Sequence, residues 1–167
     1  YQSELGAWPK NWNLLAPIAT EDLEKLNKST EANTIDNGAT TLPMRFLALV
    51  HQASPDEKYR AAFTRGVNYL LDSQYPNGGF PQFFPLRGNK YYSRITYNDG
   101  AMVRALELLR DVARGQVPYD LVDDELRAKV AASVKLGIDC ILKTQIKQDG
   151  KPTVWCAQHD EKTLEPA

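Results

Sequence analysis

The chain has 167 residues, 43% of them apolar and 25% charged, with a formal net charge of −1. That length suffices for one domain with a buried core, while the balanced charge offers no basic surplus for nucleic acid or an anionic membrane surface. Apolar runs of four or five residues are too short to cross a bilayer, and Cys140 and Cys156 are too few for a disulfide framework and lack zinc spacing.

The first signal along the chain is a turn. "QSELGAWPKN" at 2–11 returns as "QYPNGGFPQFFP" at 74–85 and as "QIKQDGKPTVW" at 145–155. The three glutamines lie 72 and 71 residues apart (74 − 2 and 145 − 74). Such a period marks a repeat, which must be recognised before any fold is assigned. Within the first interval, Thr20 is a candidate cap for a short helix over 21–26. Phe46, Leu49 and Val50 then predict a helix over 42–53, and Tyr59, Phe63, Val67 and Leu70 predict one over 57–74. The second interval repeats the plan, with Met102, Leu106 and Leu109 in a helix over 101–113 and Leu126, Val130, Val134, Ile138 and Ile141 in one over 123–145. "ASPD" and "GQVPYDLVDD" separate the partners and carry acidic cap candidates. The unit is helix, loop, helix, then a turn in which glycine stops the helix, proline prevents its resumption, and Trp8, Phe80 or Trp155 packs beneath the helix ends. The glutamine side chain is read first as a structural group that bonds freed backbone.

The residues that exceed structural need stand at two helix openings. "TIDNGATT" carries Asp36 and Asn37 before Gly38-Ala39, and "ITYNDGAM" carries Asn98 and Asp99 before Gly100-Ala101. Capping accounts for one such residue per helix, but two in both openings offer converging oxygen donors of the kind a hard cation takes. A third polar group, "AQHDE", brings His159 and Asp160 after the last turn. Lys10 and Asn11 occupy the matching place after the first, and Arg94 stands shortly before Asp99. A lone histidine is more often a bonded structural residue, and His51 reads as a surface residue. Acidic and basic groups together suit an anionic ligand bound partly through a metal.

Taken together, "GAWPKN", "TIDNGATT", "QYPNGGFPQFFP", "ITYNDGAM" and "VWCAQHDEKTLEP" resemble family 10 polysaccharide lyases, the pectate lyases with an α/α-toroid fold, over nearly the whole chain. Three positions depart from the usual pattern: Phe80 replaces a common tryptophan, Ala7 a frequent glycine, and Pro43 enters a helix start that normally has none. The resemblance implies an all-α fold of helical-hairpin repeats forming part of an α/α toroid. It also implies a secreted or periplasmic setting and calcium-assisted β-elimination of polygalacturonate. By this analogy Asp99 and Asp36 hold Ca2+, and Lys10, Asn37, Arg94, Asn98, His159 and Asp160 bind substrate or hold the rim. The family's arginine base follows shortly after the "HDEKTLEP" stretch, and here no arginine follows Arg127, so no base is assigned. The expectation is a single domain over 1–167 that is a fragment of a larger catalytic domain and inactive alone, its partner being the remainder of that domain. Two other readings remain: a glycoside hydrolase using Asp36 and Asp99 without a metal, and a non-catalytic module binding acidic glycans through calcium.

Overall fold

The computed structural model describes residues 1–29 and 31–167. Most of its regular structure is helical: α1 (Thr20–Asn27), α2 (Thr41–Ala53), α3 (Glu57–Ser73), α4 (Lys90–Ser93), α5 (Ala101–Arg114) and α6 (Asp124–Thr144). Two ribbons of two-residue strands were not anticipated: β1 (Ile95–Thr96) pairs antiparallel with β4 (Gln158–His159), and β2 (Lys147–Gln148) with β3 (Lys151–Pro152). The β2–β3 turn is Asp149-Gly150, with φ of 52° and 76°, the left-handed pair that a tight hairpin requires.

α2 folds back on α3 and α5 on α6, and the two hairpins meet through α2 against α5 and α3 against α6. Each hairpin closes on a glycine. An added Cβ at Gly66 of α3 would stand 2.7 Å from the sulfur of Met44 on α2, and one at Gly137 of α6 would stand 2.3 Å from Leu106 Cδ2 on α5. Removing the side chain there lets the partner helix approach until its own residue fills the gap. Met44, Phe63, Val67, Leu70, Met102 and Leu109 are fully buried in this interior. Each such residue contributes roughly 1.5–3 kcal/mol by leaving water.

The acidic caps occur as anticipated: Asp56 accepts from Lys58 N–H at 2.9 Å and Asp123 from Leu126 N–H at 2.8 Å. Thr20, by contrast, is the first helical residue of α1, and Ala19 occupies the cap with no side-chain bond. Pro43 is accommodated because α2 begins at Thr41, so its missing N–H falls in the first turn, where no intrahelical acceptor exists.

The first two glutamine turns are built alike. Gln2 Nε2 donates to the carbonyls of Gly6 and Ala62 at 2.9 and 2.8 Å, and Gln74 Nε2 donates to those of Gly78 and Ser133 at 3.0 and 3.1 Å. Each therefore ties its own turn to a neighbouring helix. The third differs, since Gln145 Nε2 reaches only Thr153 O at 3.4 Å. Trp155 also differs from the expectation. Trp8 and Phe80 are buried, but Trp155 is 40% exposed and its indole N–H donates to Ile141 O.

The segments that follow these turns position the candidate site. Phe83 bridges to Thr34, and Gln82 O accepts from the Thr34 hydroxyl at 2.6 Å and from Ile35 N–H at 3.2 Å. Correspondingly, β4 pairs with β1, and Ala157 O accepts from both Tyr97 and Asn98 N–H at 2.9 Å. Backbone bonds thus hold each polar opening against the chain that follows a turn.

Candidate functional site

Asp36–Gly38 and Asn98–Gly100 each form a short 3₁₀ turn, and the two turns lie against one another. The sequence alignment of "DNGA" with "NDGA" holds at the backbone. Asn37 and Asp99 both have φ 50° and ψ 22°, and Gly38 and Gly100 follow with φ of 73° and 68°. Asn and Asp tolerate the left-handed region better than other side-chain-bearing residues. Equivalent positions nonetheless carry opposite groups, an amide at 37 and a carboxylate at 99.

Asp36 is buried. Its Oδ2 lies 2.8 Å from Lys10 Nζ, and its N–H donates to Thr34 Oγ1 at 3.0 Å. The Thr34 carbonyl accepts from the Thr40 hydroxyl, which in turn accepts from Trp8 N–H. This chain of bonds fixes the carboxylate against the segment carrying Lys10. Lys10 also stands 5.4 Å from the centroid of the Phe83 ring. Partial burial lowers the affinity of the Lys10 amine for its proton, but the hydrogen bond and charge of Asp36 outweigh that, and its pKa lies above the ordinary lysine value.

Asp99 is exposed, and its Oδ2 accepts from Asn98 Nδ2 at 2.8 Å. Asn37 is likewise exposed, its Nδ2 donating to Asn11 Oδ1 at 3.4 Å. The paired turns therefore present one carboxylate and one amide to solvent, with a second, ion-paired carboxylate beneath them. These are oxygen donors of the type calcium accepts. Among the described residues no three His, Cys, Asp or Glu side chains gather as a ready metal cage, so a cation here would draw on Asp99, Asp36, amide oxygens, water and the ligand's own oxygens.

His159 is fully buried. Its Nδ1 pairs with Leu164 O at 2.9 Å, its Nε2 accepts from Cys156 N–H at 3.3 Å, and Tyr97 meets its ring edge-on. Both ring nitrogens are engaged with the backbone of the 156–164 segment. Asp160 Oδ1 accepts from Lys162 and Thr163 N–H at 2.9 and 2.8 Å. The Thr163 and Lys162 backbone bonds hold its carboxyl below the usual aspartate value. Arg94 ends α4, half-buried, and forms no ion pair with Asp99 among the described residues. Cys140 and Cys156 are free thiols, the first buried.

One residue at these turns escaped the sequence reading. Arg104, on the first turn of α5, is exposed, and its side chain runs close to both Gly38 and Gly100. Its position four residues after Gly100 was the available signal; the corresponding residue after Gly38 is Leu42.

A family model described as pectic acid lyase matches residues 2–167. Among solved structures, the family 10 polysaccharide lyase from Cellvibrio cellulosa has a TM-score of 0.85 and 38% identity, with 99% of this chain and 50% of that chain covered. An aspartate-to-alanine mutant of the family 10 lyase from the same organism, in complex with trigalacturonic acid, matches with the same score, identity and coverage. No curated protein matches. The chain spans half the length of these solved lyases.

Proposed function

The chain belongs to the pectic acid lyase family, and from that premise we propose that it supplies part of a site for calcium-assisted β-elimination of polygalacturonate. In that reaction the C5 proton, α to the uronate carboxylate, is removed and the C4 glycosidic oxygen departs. The proton is weakly acidic, so the carboxylate must be neutralised as charge develops. Asp99 and Asp36 would hold calcium, which supplies that neutralisation when bound. Lys10 and Arg94 bring positive charge toward substrate carboxylates, Asn37 and Asn98 present amides beside them, and His159 and Asp160 keep the rim in place. The carrying observation is the pair of adjoining turns that expose Asn37 and Asp99 in one backbone conformation. The trigalacturonic acid held by the Cellvibrio mutant supports the choice of substrate.

We assign no base to this chain and place it, an arginine by family analogy, in the remainder of the catalytic domain. That remainder would complete an α/α toroid of which α2–α3 and α5–α6 are two hairpins, acting in a secreted or periplasmic setting on a polymer too large to enter the cell. Half-length coverage of the solved lyases supports this reading. So do the apolar faces left open: Leu42, Phe46 and Leu49 on α2 are 55–62% exposed, and Ile138 and Leu142 on α6 are 48% and 62% exposed. Soluble monomers rarely leave such faces contiguous and uncovered.

The test is near-ultraviolet absorbance on polygalacturonate, which reports the unsaturated uronate of elimination and not the product of hydrolysis. The 167-residue chain alone should give no signal, and the chain joined to the rest of its catalytic domain should give one that chelator abolishes. Product from the isolated chain would overturn the half-site reading, and a completed domain that yields only reducing ends would overturn elimination.

A further inference from the structure

The seam between the two turns is occupied by a guanidinium. An added Cβ on Gly38 would lie 3.6 Å from Arg104 Nη1, and one on Gly100 would lie 3.7 Å from Arg104 Nε. The side chain therefore leaves α5, passes its own turn and extends to the turn of the other hairpin. At the matching place on α2, Leu42 instead sits 3.0 Å from the Gly38 position. The two openings share a backbone but not this side chain, so the arginine is not a requirement of the turn.

Arg104 is exposed and makes no hydrogen bond or ion pair among the described residues. This is notable because Asp99 lies in the adjoining turn, and a surface arginine beside a carboxylate commonly pairs with it. Here Asp99 Oδ2 is taken by Asn98 Nδ2, and Asp36 by Lys10. One oxygen of each nearby carboxylate is therefore engaged elsewhere, and among the described residues the guanidinium keeps its donors without a protein partner. A planar fork of N–H donors matches a carboxylate in two parallel bonds.

We propose that Arg104 is a substrate-binding residue that takes a uronate carboxylate in the seam between the Gly38 and Gly100 turns, next to Asp99. This deepens the function proposed above and rests on it. A uronate carboxylate placed there can lie between the guanidinium and a cation at Asp99, which reconciles two positive charges in one small site. The arrangement selects acidic over neutral sugars without touching the sugar ring.

Titration calorimetry of the 167-residue chain, in calcium buffer, with trigalacturonic acid and with neutral galactotriose tests this. The wild type should bind the acid in preference to the neutral trisaccharide. Arg104→Gln should weaken the acid by about tenfold or more, leaving galactotriose binding, calcium affinity and thermal unfolding unchanged. Arg104→Lys keeps the charge and loses the fork, and should fall between the two; it also decides the matter if the glutamine variant is poorly folded. If Asp99→Asn loses calcium-dependent binding while both Arg104 variants bind as the wild type does, the role of Arg104 is overturned and the site reading stands. A wild-type chain with no preference for the acid overturns both.

Discussion

Asn37 and Asp99 hold the same left-handed backbone conformation, φ 50° and ψ 22°, in two turns that lie against each other. The coincidence separates backbone role from charge. Asp99→Asn copies the residue already found at 37, so it should retain the turn and change stability by less than about 0.5 kcal/mol. Asp99→Ala must hold a left-handed conformation without a side chain that tolerates it, at a further cost of about 1 kcal/mol. Both variants should lose calcium-dependent binding. Urea unfolding and calcium titration, run on the same samples, distinguish the two effects.

The Lys10–Asp36 pair makes a pH-dependent contribution. Truncating Lys10 to alanine leaves the Asp36 carboxylate, whose side chain is only 6% exposed, without its counter-charge. The expected loss at pH 7 is about 2–3 kcal/mol, somewhat below that of a fully buried pair because Lys10 retains some exposure. The Lys10 pKa lies above the ordinary 10.5 in the folded chain, partial burial being outweighed by the bond and charge of Asp36. Its stabilisation is therefore complete below the unfolded value and disappears as pH rises through the higher folded value. Wild type and Lys10→Ala should converge in urea midpoint only on the alkaline side of that range.

Two glycines with positive φ should respond very differently to alanine. At Gly100 the nearest atom to an added Cβ is Arg104 Nε at 3.7 Å, so Gly100→Ala meets conformational strain alone, about 1–2 kcal/mol. At Gly78 the Cβ would fall 2.0 Å from Leu136 O, backbone of α6 that has nowhere to move. Gly78→Ala should exceed about 4 kcal/mol or prevent folding. Comparable denaturation midpoints for the two variants would contradict the close turn-to-helix contact.

The glutamine turns yield a graded series. Gln74 donates to two carbonyls and accepts from the Ser133 hydroxyl at 2.6 Å, so Gln74→Ala should cost about 2–3 kcal/mol. Gln145 makes one long bond at 3.4 Å, and its alanine variant should cost about 0.5 kcal/mol or less. Equal losses would mean that the 72- and 71-residue spacing reflects something other than this staple.

The exposed apolar faces make a simpler forecast. Phe46 and Leu49 are 62% and 55% exposed, so Phe46→Glu and Leu49→Lys should leave thermal stability close to that of the wild type while reducing self-association in sedimentation velocity. Under the half-site proposal, the same substitutions should also impair assembly with the rest of the catalytic domain. A large fall in melting temperature would show instead that these side chains support the fold of this chain.

By itself the sequence determined the four long helices, their pairing and the correspondence of the two polar openings. α2, α3, α5 and α6 lie within about one residue of their predicted ends, because an apolar stripe at helical spacing and, for α3 and α6, an acidic cap are local properties. Asp149-Gly150 was legible in principle as a tight hairpin turn, but two-residue strands are too short to show alternation, and both ribbons were missed. Tertiary structure alone decided which acidic residue is buried. Nothing local in "IDNGA" and "YNDGA" says that Asp36 will be covered and tied to Lys10 while Asp99 faces solvent. That outcome depends on a one-residue offset of the acid relative to the left-handed position and on a lysine brought in from a distant segment. Arg104 was illegible for the same reason: an exposed arginine on a helix looks like an ordinary solvated charge until a neighbouring hairpin places Gly38 beneath its guanidinium. Periodicity and capping act within a few residues, whereas the partner of a charge is set by which elements pack together.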